Sequence, residues 1–287
     1  MSSSASLVPF GARLSAAFAA TGHLCVGIDP HDFLLEQWGL PRDALGAREF
    51  GLRVVAAAEG VAGIVKPQVA FFERFGAVGY QALEDVLVAC RDAGLLVIAD
   101  AKRGDVGSTV EAYASAWLTP GAPLEADAMT ISAYQGLGSI DDARALALAS
   151  GKGLFVLSAT SNPESFEPQR AVIASGDNMG KTVAGAIMNG AAHWNTTEPG
   201  LGSIGVVIGA TVALQDYGMN SALLRSTPIL APGFGHQGAQ YSEIPALYGV
   251  SADNVLVSAS RSILAAGPTG IAAAIRTETR LIGAVYS

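Results

Sequence analysis

The sequence places four charged side chains within six residues, Asp100-Ala101-Lys102-Arg103-Gly104-Asp105, directly after the apolar run Leu95–Ala99. Charge at the end of a buried segment is costly unless it is paired. Two readings account for it: a structural ion-pair turn, or a catalytic loop of the kind that rigid scaffolds carry at strand ends. Asp100 and Lys102 are two apart, so on an extended chain their side chains face the same way. Such an array suits carbanion chemistry. An ammonium about 4 Å from a developing anion stabilises it by roughly 4 kcal/mol at an effective dielectric near 20. The same ammonium can then deliver the proton that quenches the carbanion. Flanking carboxylates favour the charged form of an ammonium and repel a substrate carboxylate.

A second constellation suits an anion. Ser260-Arg261 follows the apolar run Asn254–Val257 and is expected to open a helix, whose N-terminal N–H groups attract phosphate. The arginine adds charge-assisted bonds. Pro232-Gly233-Phe234-Gly235 follows the run Pro228–Leu230 as a Gly-rich turn. The plainer alternative for Arg261 is a surface arginine, although a cation at a helix start is unfavourable unless an anion lies nearby.

These residues need a scaffold that brings distant strand ends together. Eight short apolar runs are strand candidates: Leu24–Ile28, Gly63–Lys66, Leu95–Ala99, Ala128–Ile131, Gly153–Leu157, Ile204–Ile208, Pro228–Leu230 and Asn254–Val257. Each is short enough to be a buried parallel strand. Helical patterns lie between them, among them Ala77–Ala93, Val110–Leu118, Asp141–Leu148, Val183–His193 and Thr211–Leu224. The alternation predicts an α/β fold with eight units, a (β/α)8 TIM barrel, over residues 1–287 as one domain. Polar residues cluster just after the runs, at Asp29, Lys66, Asp100 with Lys102, Ser161 and Arg261. In such a barrel those positions converge on the C-terminal face, and phosphate sites form after strands seven and eight. The region around 160–178, rich in Ser, Asn, Pro and Glu, is expected to be a loop insertion on the barrel.

Composition narrows the function classes. Half the residues are hydrophobic and 15% are charged, enough to bury a sizeable core. With 25 acidic against 17 basic residues the net charge is −8, which disfavours nucleic acid or an anionic membrane as a partner. No apolar stretch of roughly 18 residues suggests a membrane span, and Met1–Phe10 lacks the pattern of a signal peptide. Cys25 and Cys90 are flanked by apolar residues and read as reduced core thiols, so a cytoplasmic location is expected. His23, His31 and His193 are isolated and form no ligand set, and the sequence has no dinucleotide fingerprint, so neither a metal nor another cofactor is expected.

The stretch Asp100-Ala101-Lys102-Arg103-Gly104-Asp105-Val106-Gly107-Ser108-Thr109 resembles the signature of the orotidine 5′-phosphate decarboxylase family. Four further segments agree with that family in order along the chain. They are Val26-Gly27-Ile28-Asp29-Pro30, Ile64-Val65-Lys66-Pro67-Gln68, Ala231-Pro232-Gly233-Phe234-Gly235-His236-Gln237-Gly238 and Ser258-Ala259-Ser260-Arg261-Ser262-Ile263. Thr160-Ser161-Asn162-Pro163 and the insertion are similar to the longer bacterial branch.

The resemblance implies cofactor-independent decarboxylation of orotidine 5′-phosphate to uridine 5′-phosphate in pyrimidine biosynthesis. Lys102 would stabilise and protonate the C6 carbanion, with Asp100 beside the scissile carboxylate. Lys66 would pair with Asp100 and a ribose hydroxyl, and Asp29 would hold the ribose. Ser161 would meet the pyrimidine edge. Gln237 and Arg261 would grip the phosphate, with Pro232, Gly235 and Ser260 around it. Asp105 and Thr109 would reach the neighbouring subunit's site, implying a homodimer. Two rivals stay open: a metal-dependent sugar-phosphate decarboxylase or epimerase on a related barrel, and a non-catalytic barrel that keeps the phosphate grip. Lys66-Pro67-Gln68 stands where the first would bring acidic metal ligands, and the second would be expected to lose the buried charges.

Overall fold

Strands buried on both faces pair in parallel only when each is followed by a crossover that covers the sheet. The computed structural model, which describes residues 7–235 and 238–286, realises this eight times. β1 (Leu24–Ile28), β2 (Ile64–Pro67), β3 (Leu96–Arg103), β4 (Ala128–Ile131), β5 (Gly153–Ala159), β6 (Ile204–Ile208), β7 (Ile229–Pro232) and β8 (Val255–Ala259) form a closed barrel in sequence order. Closure is parallel, with Leu24 of β1 opposite Val257 of β8. The fold is the expected (β/α)8 barrel.

Three departures from expectation have physical causes. β3 runs on to Arg103, so the charged residues end the strand rather than follow it. Its register against β4 slips between Ala99, opposite Met129, and Arg103, opposite Ile131. Four steps on β3 thus match two on β4, an irregularity that re-aims side chains. The expected helix Thr211–Leu224 is instead two 3-10 turns, Leu214–Tyr217 and Ser221–Leu224. Gly218 adopts a left-handed φ of 68°, and the Asn220 side chain accepts from the Ala222 amide, a local bond that competes with helix continuation. Third, the segment after β5 has structure of its own. It holds a turn at Pro163–Ser165 and a short helix Phe166–Arg170. A bridge pairs Val172 with Thr182, flanked by Ile173 N–H to Lys181 O and Gly180 N–H to Ile173 O, both 2.9 Å.

The barrel's two ends are made unlike. At the N-terminal end a helix absent from the sequence expectation, Phe10–Thr21, sets Phe10 and Leu14, one turn apart, against the barrel interior. Phe10 meets Phe155 edge-on with ring centres 6.0 Å apart. Arg13 locks the helix through an ion pair to Asp127 and a 2.8 Å bond to Gly151 O. The inner layer there is apolar: Cys25, Ile64, Ile98 and Ala128 on the first four strands. Two residues further along β2, β3 and β4 the inward positions become Lys66, Asp100 and Thr130. Leu157, Val207 and Leu230 on β5 to β7 stay apolar, so the open end has one charged wall and one apolar wall. Cys25 and Cys90 are buried free thiols, both pushed up to about 12 by burial.

Candidate active site

A cavity of about 340 Å³ opens at the C-terminal ends of the strands. Its charged wall centres on Asp100, whose side chain is only 7% exposed. Lys66 Nζ donates to Asp100 Oδ2 at 2.8 Å, and Lys102 Nζ donates to Oδ1 at 2.6 Å. One carboxylate therefore bridges two ammoniums, with one on each oxygen. The Thr130 hydroxyl also donates to Oδ1, at 2.9 Å, and accepts the Lys102 amide at 2.9 Å.

Burial works against the charges of Asp100 and Lys66, and the pairing outweighs it. Burial alone would lift the Asp100 carboxyl, but Lys66 and then Lys102 hold it well below the usual carboxylate range. Burial alone would depress the Lys66 ammonium, but Asp100 and Asp29 together hold it above the usual lysine range. The signs set a window. Asp100 contributes stability above the unfolded carboxylate value, lost as pH falls through its depressed folded value. Lys66 contributes below the unfolded lysine value, lost only as pH rises through its elevated one. The difference in urea midpoint between the parent and Asp100→Asn is therefore expected to be constant from about pH 5 to 9 and to shrink only below about pH 4. A difference that decayed between pH 5 and 7 would show that the lysines do not hold Asp100 ionised.

Asp29 and Ser260 flank this wall. The Ser260 hydroxyl donates to Asp29 Oδ2, whereas Oδ1 is buried and has no hydrogen-bond partner among the described residues. Gly27 makes their approach possible, since a Cβ there would lie 2.7 Å from Ser260 Cβ. Arg261 and Pro232 also line the cavity. The helix that Arg261 opens is a single turn, Arg261–Leu264, shorter than a dipole argument wants, so the side chain has the larger part in any anion grip. Gly235 takes a φ of 71° and donates its N–H to Ala239 O at 3.0 Å, closing the turn after β7. Gln237 and His236 lie outside the described residues.

Three candidates stand apart from this cavity. Ser161 is half-buried beyond β5, packed so close to Gly209 that a Cβ there would meet it at 3.0 Å. Asp105 turns back on its own backbone, its carboxylate accepting the Val106 N–H at 2.9 Å. Thr109 is exposed on the following helix, Gly107–Leu118. Neither Asp105 nor Thr109 lines the cavity of its own chain.

Sequence reasoning passed over several lining residues: His31, Gln68, Phe71, Thr130, Phe234 and Ser258. For Thr130 a signal existed, since it lies two residues along β4 from inward-facing Ala128. His31 is isolated in the sequence, yet its ring packs on Phe71 at 4.1 Å and burial lowers its pKa. Arg103 lies behind the charged wall, donating to Glu73 at 2.7 Å, to Tyr80 OH at 3.2 Å and to Ala101 O at 3.1 Å. Glu73 is thus engaged within its own chain, while Arg74 bonds Asp32 and Pro30 O. Among the described residues no group of three or more His, Cys, Asp or Glu is placed to hold a metal ion, and no helix is long and apolar enough to cross a membrane.

The model of the orotidine 5′-phosphate decarboxylase / HUMPS family matches residues 22–275. The orotidine 5′-phosphate decarboxylase of Salinispora tropica is 46% identical over 263 residues, covering 92% of each chain. That of Streptomyces coelicolor is 47% identical over 263 residues, 91% of each. Among solved structures, one from Streptomyces avermitilis assigned to the same activity superposes with a TM-score of 0.92 at 44% identity, covering 99% of this chain and 98% of that one. The OMP decarboxylase of Leishmania donovani gives 0.77 at 28% identity, with 97% and 98% covered.

Proposed function

Because the chain belongs to the orotidine 5′-phosphate decarboxylase / HUMPS family, we propose that its cavity removes the carboxylate of orotidine 5′-phosphate through Lys102. The protein is an enzyme, a carboxy-lyase acting on orotidine 5′-phosphate in pyrimidine biosynthesis. The observation that carries the finer reading is the bridged trio Lys66–Asp100–Lys102 on one wall, facing Leu157, Val207 and Leu230 on the other. A flat pyrimidine with one charged edge fits between such walls.

The chemistry follows from charge placement. The C6–carboxylate bond breaks, CO2 leaves, and the electron pair stays on C6. The Lys102 ammonium stabilises that developing anion and then gives it a proton, leaving a neutral amine that solvent reprotonates. Asp100 holds Lys102 on one oxygen and Lys66 on the other. The chain's own groups supply each charge and the proton, so the mechanism draws on no cofactor or metal.

Binding follows the same division. The buried Oδ1 of Asp29, without a partner among the described residues, is suited to accept a ribose hydroxyl, with Lys66 close by to donate. Arg261, beside Pro232, Gly235 and Ser260, would take the 5′-phosphate, remote binding that can also lower the chemical barrier. Ser161, placed beyond the end of β5, would approach the pyrimidine edge. Asp105 and Thr109, which do not line their own chain's cavity, suit a homodimer in which each reaches the partner's site. We read residues 1–287 as one barrel domain acting in the cytoplasm, where its buried thiols stay reduced.

Turnover tests the reading. Loss of orotate-ring absorbance on adding orotidine 5′-phosphate is expected, at the same rate with and without EDTA. No loss would overturn it, and loss only without EDTA would favour the metal-dependent rival.

A further inference from the structure

We infer that Thr130 is a positioning residue that aims Lys102, a role that rests on the assignment of Lys102 as the acid. Lys102 is the only described non-glycine residue with positive φ, at 48°. Such a conformation persists only when the surroundings over-determine it. The register slip between Ala99 and Arg103 removes the ordinary strand partner from the Lys102 amide. The Thr130 hydroxyl replaces that partner, accepting the amide at 2.9 Å.

The same oxygen carries one proton, and it is spent on Asp100 Oδ1 at 2.9 Å. That carboxylate oxygen is also the one that accepts Lys102 Nζ at 2.6 Å. A three-membered circuit results: backbone amide to hydroxyl, hydroxyl to carboxylate, ammonium to the same carboxylate. It fixes both ends of Lys102 against one atom of Asp100. Thr130 is well suited to hold it. It lies on β4 rather than on a loop, is 1% exposed, and has a branched side chain that resists rotation. On the far side Arg103 grips Ala101 O, and Ser132 N–H bonds Arg103 O at 2.7 Å, so the slipped segment is held from both flanks.

Removing the hydroxyl frees the Lys102 amide and loosens the ammonium without deleting either charge. Thr130→Val removes it at nearly constant shape, and Thr130→Ser keeps it. Three measurements apply: kcat and KM by orotate absorbance, the Kd of uridine 5′-phosphate by calorimetry, and the urea midpoint. For Thr130→Val, kcat is expected to fall by roughly 30- to 100-fold, the scale of a small misplacement of a reacting group, with Kd within about threefold. Thr130→Ser is expected to keep kcat within about threefold of the parent, since its hydroxyl can occupy the same place. Should valine fail to fold opposite Phe155, Thr130→Ala carries the same expectation.

Parent-like kcat in Thr130→Val would overturn the inference. So would an equal loss in Thr130→Ser, or a loss of kcat matched by a loss of uridine 5′-phosphate affinity. Lys102→Ala run alongside separates the two claims. An active Lys102→Ala overturns the assignment of the acid itself, whereas an inactive one beside a parent-like Thr130→Val overturns only the role of Thr130.

Discussion

Lys102→Ala is expected to lower kcat by at least about a thousandfold while uridine 5′-phosphate still binds with near-parent affinity. The size follows from roughly 4 kcal/mol for an ammonium about 4 Å from a developing anion at an effective dielectric near 20, which converts to about three decades of rate. Loss of the proton donor adds to that. Binding survives because the product has neither the scissile carboxylate nor the carbanion, so Lys102 has little to hold in that complex. Folding survives because Lys102 is the exposed partner of the trio: its side chain is 45% exposed, while that of Lys66 is 8%. Asp100 also keeps the Lys66 ammonium on Oδ2. Stopped absorbance and calorimetry on the same preparation check both halves. Near-parent turnover would remove Lys102 from the chemistry, and a parallel loss of product affinity would make it a binding residue.

The asymmetry between the two lysines has a physical basis. Lys66 is buried inside the strand layer, and only its carboxylate partners keep it charged there. It supports the array from below. Lys102 sits where the strand loses register and lines the cavity, with its side chain open to a substrate there. One lysine serves as a buried fixed charge and the other as an accessible acid, although both lie on the same carboxylate.

Much of this was legible in residue types. The β1, β4 and β6 boundaries coincide with their apolar runs, because each run is bounded by residues that break a buried strand. The convergence of Asp29, Lys66, Asp100, Lys102 and Arg261 follows from eight parallel strands, since the barrel geometry does the rest. What escaped was set by non-local contacts. The helix Phe10–Thr21 carries no mark of which barrel end it covers, and its role depends on Phe155 and Asp127, more than a hundred residues away. The pattern Thr211–Leu224 has apolar spacing that suits a helix, but Gly218 and the Asn220 side chain override it. The circuit through Thr130 exists only because β3 slips against β4, and a two-residue spacing between Asp100 and Lys102 cannot report that slip. Asp105 poses a different problem. Its chemical type fits the array, yet it does not line its own chain's cavity, and a site shared with a second copy would reconcile the two.

Two inactive variants are therefore expected to restore activity when combined. Asp105→Asn should cripple a site because the partner's carboxylate is missing from it, and Lys102→Ala should cripple a site because its own acid is missing. In a mixed dimer both lesions fall on one site, leaving the other with an intact Lys102 from one protomer and an intact Asp105 from its partner. If subunits reassort at random from equal amounts, half of the dimers are mixed and each has one whole site, giving about a quarter of parent activity. Co-refolding the two variants and following orotate absorbance against subunit ratio measures this. The activity should peak at equal amounts and vanish toward either pure variant. If instead Asp105 acts within its own chain, each protomer in the mixture keeps its own lesion and no ratio yields activity above the parents. The position of the Asp105 carboxylate, bonded to the Val106 amide and outside its own cavity, favours the first outcome.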